Sequence, residues 1–146
     1  SDIHYVQDLP SDTCIAECDN RQIAQALTNL LKNAAEAIDA RMDPRVGNLP
    51  KGEICVRLHT QNDMIALAIE DNGKGLPVED RNSLTEPYVT TRSKGTGLGL
   101  AIVKKIMEEH HGEIILSDRV GGGAVVTMLW PRMIIGVDKV DAAVGM

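Results

Sequence analysis

The sequence predicts an α+β domain, a two-layer sandwich in which a mixed, mainly antiparallel sheet of about five strands is covered on one face by about three helices. Three observations predict it. Apolar runs of strand length come in pairs joined by short turns, which suits antiparallel or mixed pairing better than the long crossovers of a parallel sheet. Two longer stretches carry apolar residues at helical spacing. The 146 residues, 43% hydrophobic and 25% charged, suffice for one sizeable core and match an ordinary globular chain.

The elements follow in order. Residues 3–7 and 13–17 are short runs with β-branched or aromatic members, split by Pro10-Ser11-Asp12, and read as a hairpin of strands. Asp19 or Asn20 is the expected N-cap of a long helix reaching to about Arg41. Its apolar positions Ile23, Leu27, Leu30, Leu31, Ala34 and Ile38 fall on one stripe, with Gln22, Asn29, Asn33 and Glu36 on the polar stripe beside it. Residues 43–52 hold Pro44, Gly47 and Pro50 and form a loop. Residues 53–60 and 64–70 read as strands turned at Gln61-Asn62-Asp63, the second running straight into Asp71-Asn72-Gly73-Lys74-Gly75.

Residues 76–96 show little sustained periodicity beyond a short helix expected near 78–81. A stretch this long and this irregular inside a compact domain is functional or mobile. Helical spacing returns with Leu98, Ala101, Ile102 and Ile106 and ends near His111-Gly112, where His110 and His111 suit the negative end of the helix dipole. Residues 113–117 and 124–130 form a last strand pair joined through Gly121-Gly122-Gly123. The expected domain is 1–132, followed by a small, apolar tail at 133–146. A chain that opens at Ser1 without Met reads as an excised domain.

Composition excludes several function classes. Tyr5, Tyr88 and Trp130 are the aromatics and there is no Phe, so the core is aliphatic. A net charge of −6 argues against a nucleic-acid surface, which needs a basic patch. An anionic ligand must therefore be held by local groups. Cys14, Cys18 and Cys55 make an odd set without a CxxC pair, as expected of reduced thiols in a cytoplasmic compartment. No apolar run approaches the roughly 18 residues of a membrane helix, and no signal peptide is visible, so no membrane contact is expected of this domain.

The chemistry gathers around Lys94-Gly95-Thr96-Gly97-Leu98-Gly99-Leu100. Alternate glycines let a ligand approach the backbone, and the helix that follows begins with free N–H groups and a positive dipole end, which suit phosphate. Thr90, Thr91, Arg92, Ser93 and Lys94 just before it could close over a triphosphate, with Arg92 or Lys94 offsetting charge as a phosphoryl group leaves. Asn29 and Asn33, four apart, project from one helix face and offer neutral oxygens to a hard cation such as Mg²⁺. A solvated face or a helix-packing hydrogen bond would also account for them. Asp71 ends an apolar strand, and its carboxylate can only accept. It can take the exocyclic amine of adenine but would meet the carbonyl of guanine acceptor to acceptor. An Asx turn at a strand end is the plain structural alternative.

The segments QALTNLLKNAAEAIDA, DNGKGLP, EPYVTTRSKGTGLGLAIVKKIMEEHHGEI and GGGAVVTMLWP, in that order, resemble the N, G1, F, G2 and G3 boxes of sensor histidine kinases. The resemblance covers the chain from about Asp19 to Pro131 and looks most like nitrogen-regulation sensor kinases of the NtrY type. It implies a catalytic and ATP-binding domain with the Bergerat (GHKL) fold. By that resemblance Asn33 would bind Mg²⁺, with Asn29 beside it at the phosphates. Asp71 would take the adenine amine, with Gly73 and Gly75 shaping the pocket. Thr91, Arg92, Ser93, Lys94 and Gly95 would belong to an ATP lid, and Thr96, Gly97, Leu98 and Gly99 would adjoin or contact the phosphates. Catalytic roles would fall to Asn29, Arg92 and Lys94.

Three positions depart from the family pattern. Tyr88 takes the place of the F-box aromatic, with Val89 where a second Phe is frequent. Glu36 stands where some relatives place a Lys toward the phosphates. Ala124 and Val125 occupy a strand region where a Thr often supports the adenine site, leaving that support to a water or a backbone group. The resemblance further implies that the dimerising helical domain with the phosphoacceptor His lies outside this fragment, so the fragment should bind ATP without autophosphorylating alone. The γ-phosphate would pass to that His and then to a response regulator, from a cytoplasmic domain whose parent could be anchored in the inner membrane. Two rivals are a GHKL-fold ATPase and a non-catalytic adenine-nucleotide sensor. Hydrolases of the fold place a Glu base four residues before the metal Asn, where this chain has Asn29. A lid hinged at the glycines would be weakly ordered across roughly residues 83–96 without nucleotide, with a firm helix from about Gly97.

Overall fold

The computed structural model describes residues 3–10, 16, 18–41, 50–77, 79, 81–86 and 99–132. In chain order these form β1 (Ile3–Asp8), α1 (Asn20–Asp39), β2 (Gly52–Gln61), β3 (Met64–Asp71), a 3-10 helix (Arg81–Thr85), α2 (Gly99–Glu109), β4 (Glu113–Asp118) and β5 (Ala124–Pro131). The five strands make one sheet in the order β1-β2-β3-β5-β4. β1 runs parallel to β2, and the other three pairings are antiparallel. The parallel pair is possible because β1 and β2 are joined through α1, long enough to carry the chain back. Among the described residues, two α-helices and the short 3-10 helix stand where about three helices are expected.

The expected hairpin between 3–7 and 13–17 is not what β1 makes with the described residues: its partner is β2. Residues 13, 14, 15 and 17 lie outside the described residues. Of the short helix expected near 78–81, residues 78 and 80 lie outside the described residues, and a 3-10 helix begins at Arg81. The carbonyl of Pro77 accepts from Arg81 Nε at 2.7 Å.

Local chemistry explains the boundaries. Asp19 is the N-cap of α1, with extended backbone, and its Oδ1 accepts from the N–H groups of Arg21 (2.9 Å) and Gln22 (3.2 Å). β2 turns into β3 through Asn62, whose φ of 56° is a left-handed conformation that Asn tolerates. α2 ends on His111 at φ 61°, with Gly112 N–H donating back to Met107 O at 2.7 Å, a Schellman-type closure. His110 does more than meet the dipole. Its Nε2 accepts from Asp19 N–H at 3.0 Å, and its Nδ1 lies 2.7 Å from Ile106 O, which assigns the proton to Nδ1. The imidazole therefore ties the start of α1 to the end of α2.

Strand alternation sorts the sheet into two faces. Val56, Ile69, Val126 and Leu116 lie in register across it, as do Leu58, Leu67, Met128 and Ile114. Ile54, Ile65, Ile69, Met128 and Trp130 from this face pack with Ala26, Leu30, Ala34, Ile38, Val103, Ile106 and Met107 of the helices in one core. The core is aliphatic apart from Trp130. Cys55 is a buried free thiol and Cys18 a half-buried one; Cys14 lies outside the described residues. No described helix is long and apolar enough to cross a membrane.

Candidate functional site

The register places Asp71 at the end of β3, on the helix-facing side, between Ile54 of β2 and Ala124 of β5. It is the buried charged side chain among the described residues, 4% exposed. Its Oδ1 accepts from Gly73 N–H at 2.8 Å. The Asx turn weighed as an alternative to a binding role is therefore present. The turn orients the carboxylate, a group that offers about four lone-pair directions in all.

The turn after Asp71 docks on α1. Lys74 N–H donates to Ala37 O at 3.0 Å, and Gly73 lies flush against Ala37. Asn29, Asn33 and Ala37 recur at i, i+4 and i+8, so they share one face of α1, each step about 6 Å along the axis. One turn before Ala37, the Asn33 amide stands at the first residue of α2. A Cβ built on Gly99 would be 3.4 Å from Asn33 Oδ1 and 3.5 Å from Nδ2. One stripe of α1 thus joins the glycine turn behind Asp71 to the N-terminus of α2. Asn29 is half-buried, one turn further toward the N-terminus.

Gly75 has φ 84° and faces the backbone of Gly123, with its Cβ position 3.5 Å from Gly123 O. Gly123, at φ 113°, presses on the Asp71 carbonyl, and its Cβ position lies 2.9 Å from Asn72 Cα. Asp71, Gly73, Gly75 and Gly123 therefore meet at one place. Gly99 and Asn33 meet at a second, and α1 links the two. The expected site residues Thr91, Arg92, Ser93, Lys94, Gly95, Thr96, Gly97 and Leu98 lie outside the described residues. Earlier in the chain, the 3-10 helix is held to the sheet. Arg81 Nη1 and Nη2 donate to Asp118 Oδ2 (3.1 Å) and Oδ1 (2.8 Å), tying the 3-10 helix to the end of β4.

Several residues of this arrangement have no role in the sequence reading. Asn72 accepts from Glu53 N–H at 2.8 Å and donates from Nδ2 to Lys51 O at 2.9 Å, stitching the post-Asp71 turn to β2. Gly123 enters the sequence reading only as part of the Gly121-Gly122-Gly123 join and of the GGGAVVTMLWP segment, with no role of its own; its signal is the third glycine in a row directly before a strand. On the opposite face of the sheet, Glu70 receives Arg57 Nη1 at 3.0 Å and Arg119 Nε at 3.3 Å, and Arg57 Nε reaches Asp8 at 3.2 Å. The Arg57 guanidinium is held above its ordinary value, by Cys55 first and Glu70 next, with burial opposing. A cavity of about 640 Å³ lined by Cys18, Asp19, His110 and Arg132 among others lies at the other end of β5 from Ala124, away from Asp71.

The donor set suits a magnesium nucleotide. Asn33 brings a neutral amide oxygen to the positive end of α2, where phosphate is favoured and a metal ligand adds no repulsion.

Over residues 18–134 the sequence matches the family described as histidine kinase-, DNA gyrase B-, and HSP90-like ATPases. It is 58% identical over 103 residues to the nitrogen regulation protein NtrY of Azorhizobium caulinodans, an alignment covering 70% of this chain and 13% of that protein. It is 32% identical over 130 residues to the signal transduction histidine-protein kinase AtoS of Escherichia coli K12, covering 88% of this chain and 20% of that one. The chain thus spans a fifth or less of the length of these relatives. Among solved structures, the catalytic domain of histidine kinase ThkA in a nucleotide-free form superposes with a TM-score of 0.74 at 29% identity, over 89% of this chain and 80% of that one.

Proposed function

Because this chain belongs to the histidine kinase-, DNA gyrase B-, and HSP90-like ATPase family, we propose that it is the catalytic and ATP-binding domain of a two-component sensor histidine kinase of the nitrogen-regulation type. The observation that carries the reading is the buried Asp71 at the end of a central strand, oriented by Gly73 N–H and walled by Gly123. A carboxylate held there accepts the adenine amine and rejects guanine, whose carbonyl brings acceptor against acceptor and leaves a buried group unpaired.

Asn33 holds Mg²⁺ in this reading, and Asn29 lies beside it at the phosphates. The metal, when bound, neutralises charge on the nucleotide phosphates and supports their transfer. Arg92 and Lys94 offset charge on the leaving phosphates. Thr91, Ser93, Gly95, Thr96, Gly97, Leu98 and Gly99 supply the remaining contacts. Asn29 is a neutral amide and a poor base for water, so the γ-phosphate is kept for a histidine on the helical phosphoacceptor domain of the parent kinase, which passes it to a response regulator. Intrinsic hydrolysis is slow for the same reason.

The test is binding of ATP and GTP, with and without Mg²⁺, to the wild-type chain and to Asp71→Ala. ATP preference that disappears in the mutant supports the reading. Equal affinity for GTP, or an unaffected mutant, sinks the adenine assignment. Autophosphorylation on adding the phosphoacceptor domain distinguishes a kinase from a nucleotide sensor, and rapid hydrolysis by the chain alone would favour an ATPase.

A further inference from the structure

We infer that Arg119 is a positioning residue for adenine recognition, holding the Gly121-Gly122-Gly123 turn against the end of β3 so that Asp71 keeps its wall. The inference rests on the adenine role of Asp71 proposed above.

Arg119 opens the turn between β4 and β5. Its backbone N–H donates to Gly123 O at 3.1 Å, and its carbonyl accepts from Gly122 N–H at 3.1 Å. Its side chain then folds back over the same turn. Nη1 donates to Gly122 O at 3.0 Å and reaches Val120 O at 3.4 Å, while Nε pairs with Glu70 Oε1 at 3.3 Å. One planar guanidinium thus bridges a glycine turn and a neighbouring strand, which a flexible ammonium could not do in one geometry. Both partners are shielded, with the side chains of Arg119 and Glu70 25% and 20% exposed.

The place of the bridge matters. Glu70 directly precedes Asp71, so by strand alternation it points to the face away from the helices while Asp71 points toward them. Glu70 anchors the turn from behind the sheet, and Gly123 presses on the backbone of Asp71 and Asn72 from the end. Three successive glycines, at φ 89°, 111° and 113°, carry high conformational entropy and have no side chains with which to hold themselves. Arg119 provides the side-chain anchor that the glycines lack. The family pattern's strand Thr is absent here, Ala124 standing opposite Asp71 in the register, so backbone order at Gly123 has more to do.

Glu70 has a second arm, Arg57, on its other oxygen. That arm leads toward β1 and Asp8, away from the turn. It therefore supplies an internal control. ATP and GTP dissociation constants and melting temperatures are measured for wild type, Arg119→Gln and Arg57→Gln. Arg119→Gln is expected to weaken ATP about fivefold or more, the coupling of residues that share a network, and to narrow the ATP-to-GTP ratio. Arg57→Gln is expected to lower the melting temperature while leaving both quantities at wild-type values. Should Arg119→Gln fail to fold, Arg119→Lys makes the same comparison, keeping the charge but losing the planar bridge. Wild-type ATP affinity and selectivity in the folded Arg119 variant, or equal losses in the Arg57 variant, overturn the inference while the Asp71 reading stands. A wild-type chain without ATP preference overturns the Asp71 reading itself, and this assignment with it.

Discussion

Gly73 lies so close to Ala37 that a Cβ on it would stand 2.6 Å from the Ala37 carbonyl carbon and 2.7 Å from the Ala37 oxygen and Cβ. The atoms in the way are helix backbone and a methyl group, neither of which can rotate aside. The turn that follows Asp71 is thereby seated on the same stripe of α1 that carries Asn33.

Gly73→Ala should consequently push the turn off the helix and break the bond from Lys74 N–H to Ala37 O. A loss of about 1–3 kcal/mol in stability is expected for such overpacking, read from urea midpoints. ATP affinity should fall with it, since the Gly73 N–H that orients Asp71 moves too.

Gly122 and Gly123 have nearly the same backbone, with φ of 111° and 113°, but different surroundings. A Cβ at Gly122 meets nothing within 4 Å, whereas one at Gly123 collides with the Asp71 carbonyl and Asn72 Cα. Gly122→Ala should cost only the backbone strain, about 1–3 kcal/mol. Gly123→Ala should cost more and should abolish the preference for ATP over GTP. Thermal melts and nucleotide titrations on the pair separate strain from collision.

Asn33→Ala should remove the dependence of ATP binding on Mg²⁺ while weak metal-free binding persists. The substitution deletes the Asn33 amide oxygen that α1 brings to the N-terminus of α2, and leaves Asp71 and the helix N–H groups in place. Titration of ATP with and without Mg²⁺ reads the effect directly; a mutant that still binds tighter with Mg²⁺ would move the metal to another residue.

Asp19→Ala should destabilise the chain by about 1 kcal/mol, the usual worth of an N-cap, without changing ATP affinity. Asp19 caps α1 at the end remote from Asn33 and Ala37. A drop in affinity would mean that fraying of α1 reaches the site.

The elements were legible because their signals are local. Asp19 caps the helix it was expected to cap, and the strands at Gly52–Gln61, Met64–Asp71, Glu113–Asp118 and Ala124–Pro131 begin and end within a residue or so of expectation. Periodicity, a capping side chain and turn residues each act over a few positions, so the chain declares them wherever it folds. The pairing of β1 was not legible. A short strand followed by a turn signal reads as half of a hairpin, and nothing local says that its partner lies beyond a helix, at Gly52–Gln61.

By itself, then, the sequence determined the α+β composition, the aliphatic core, the ordered glycine and Asn motifs and the family they belong to. Only the tertiary structure decided that Ala37 seats Gly73, that Gly123 walls Asp71, and that Glu70 and Arg119 brace that wall from behind the sheet. Those contacts join residues far apart in the chain, and their strength comes from burial and close approach, which no run of neighbouring residues encodes.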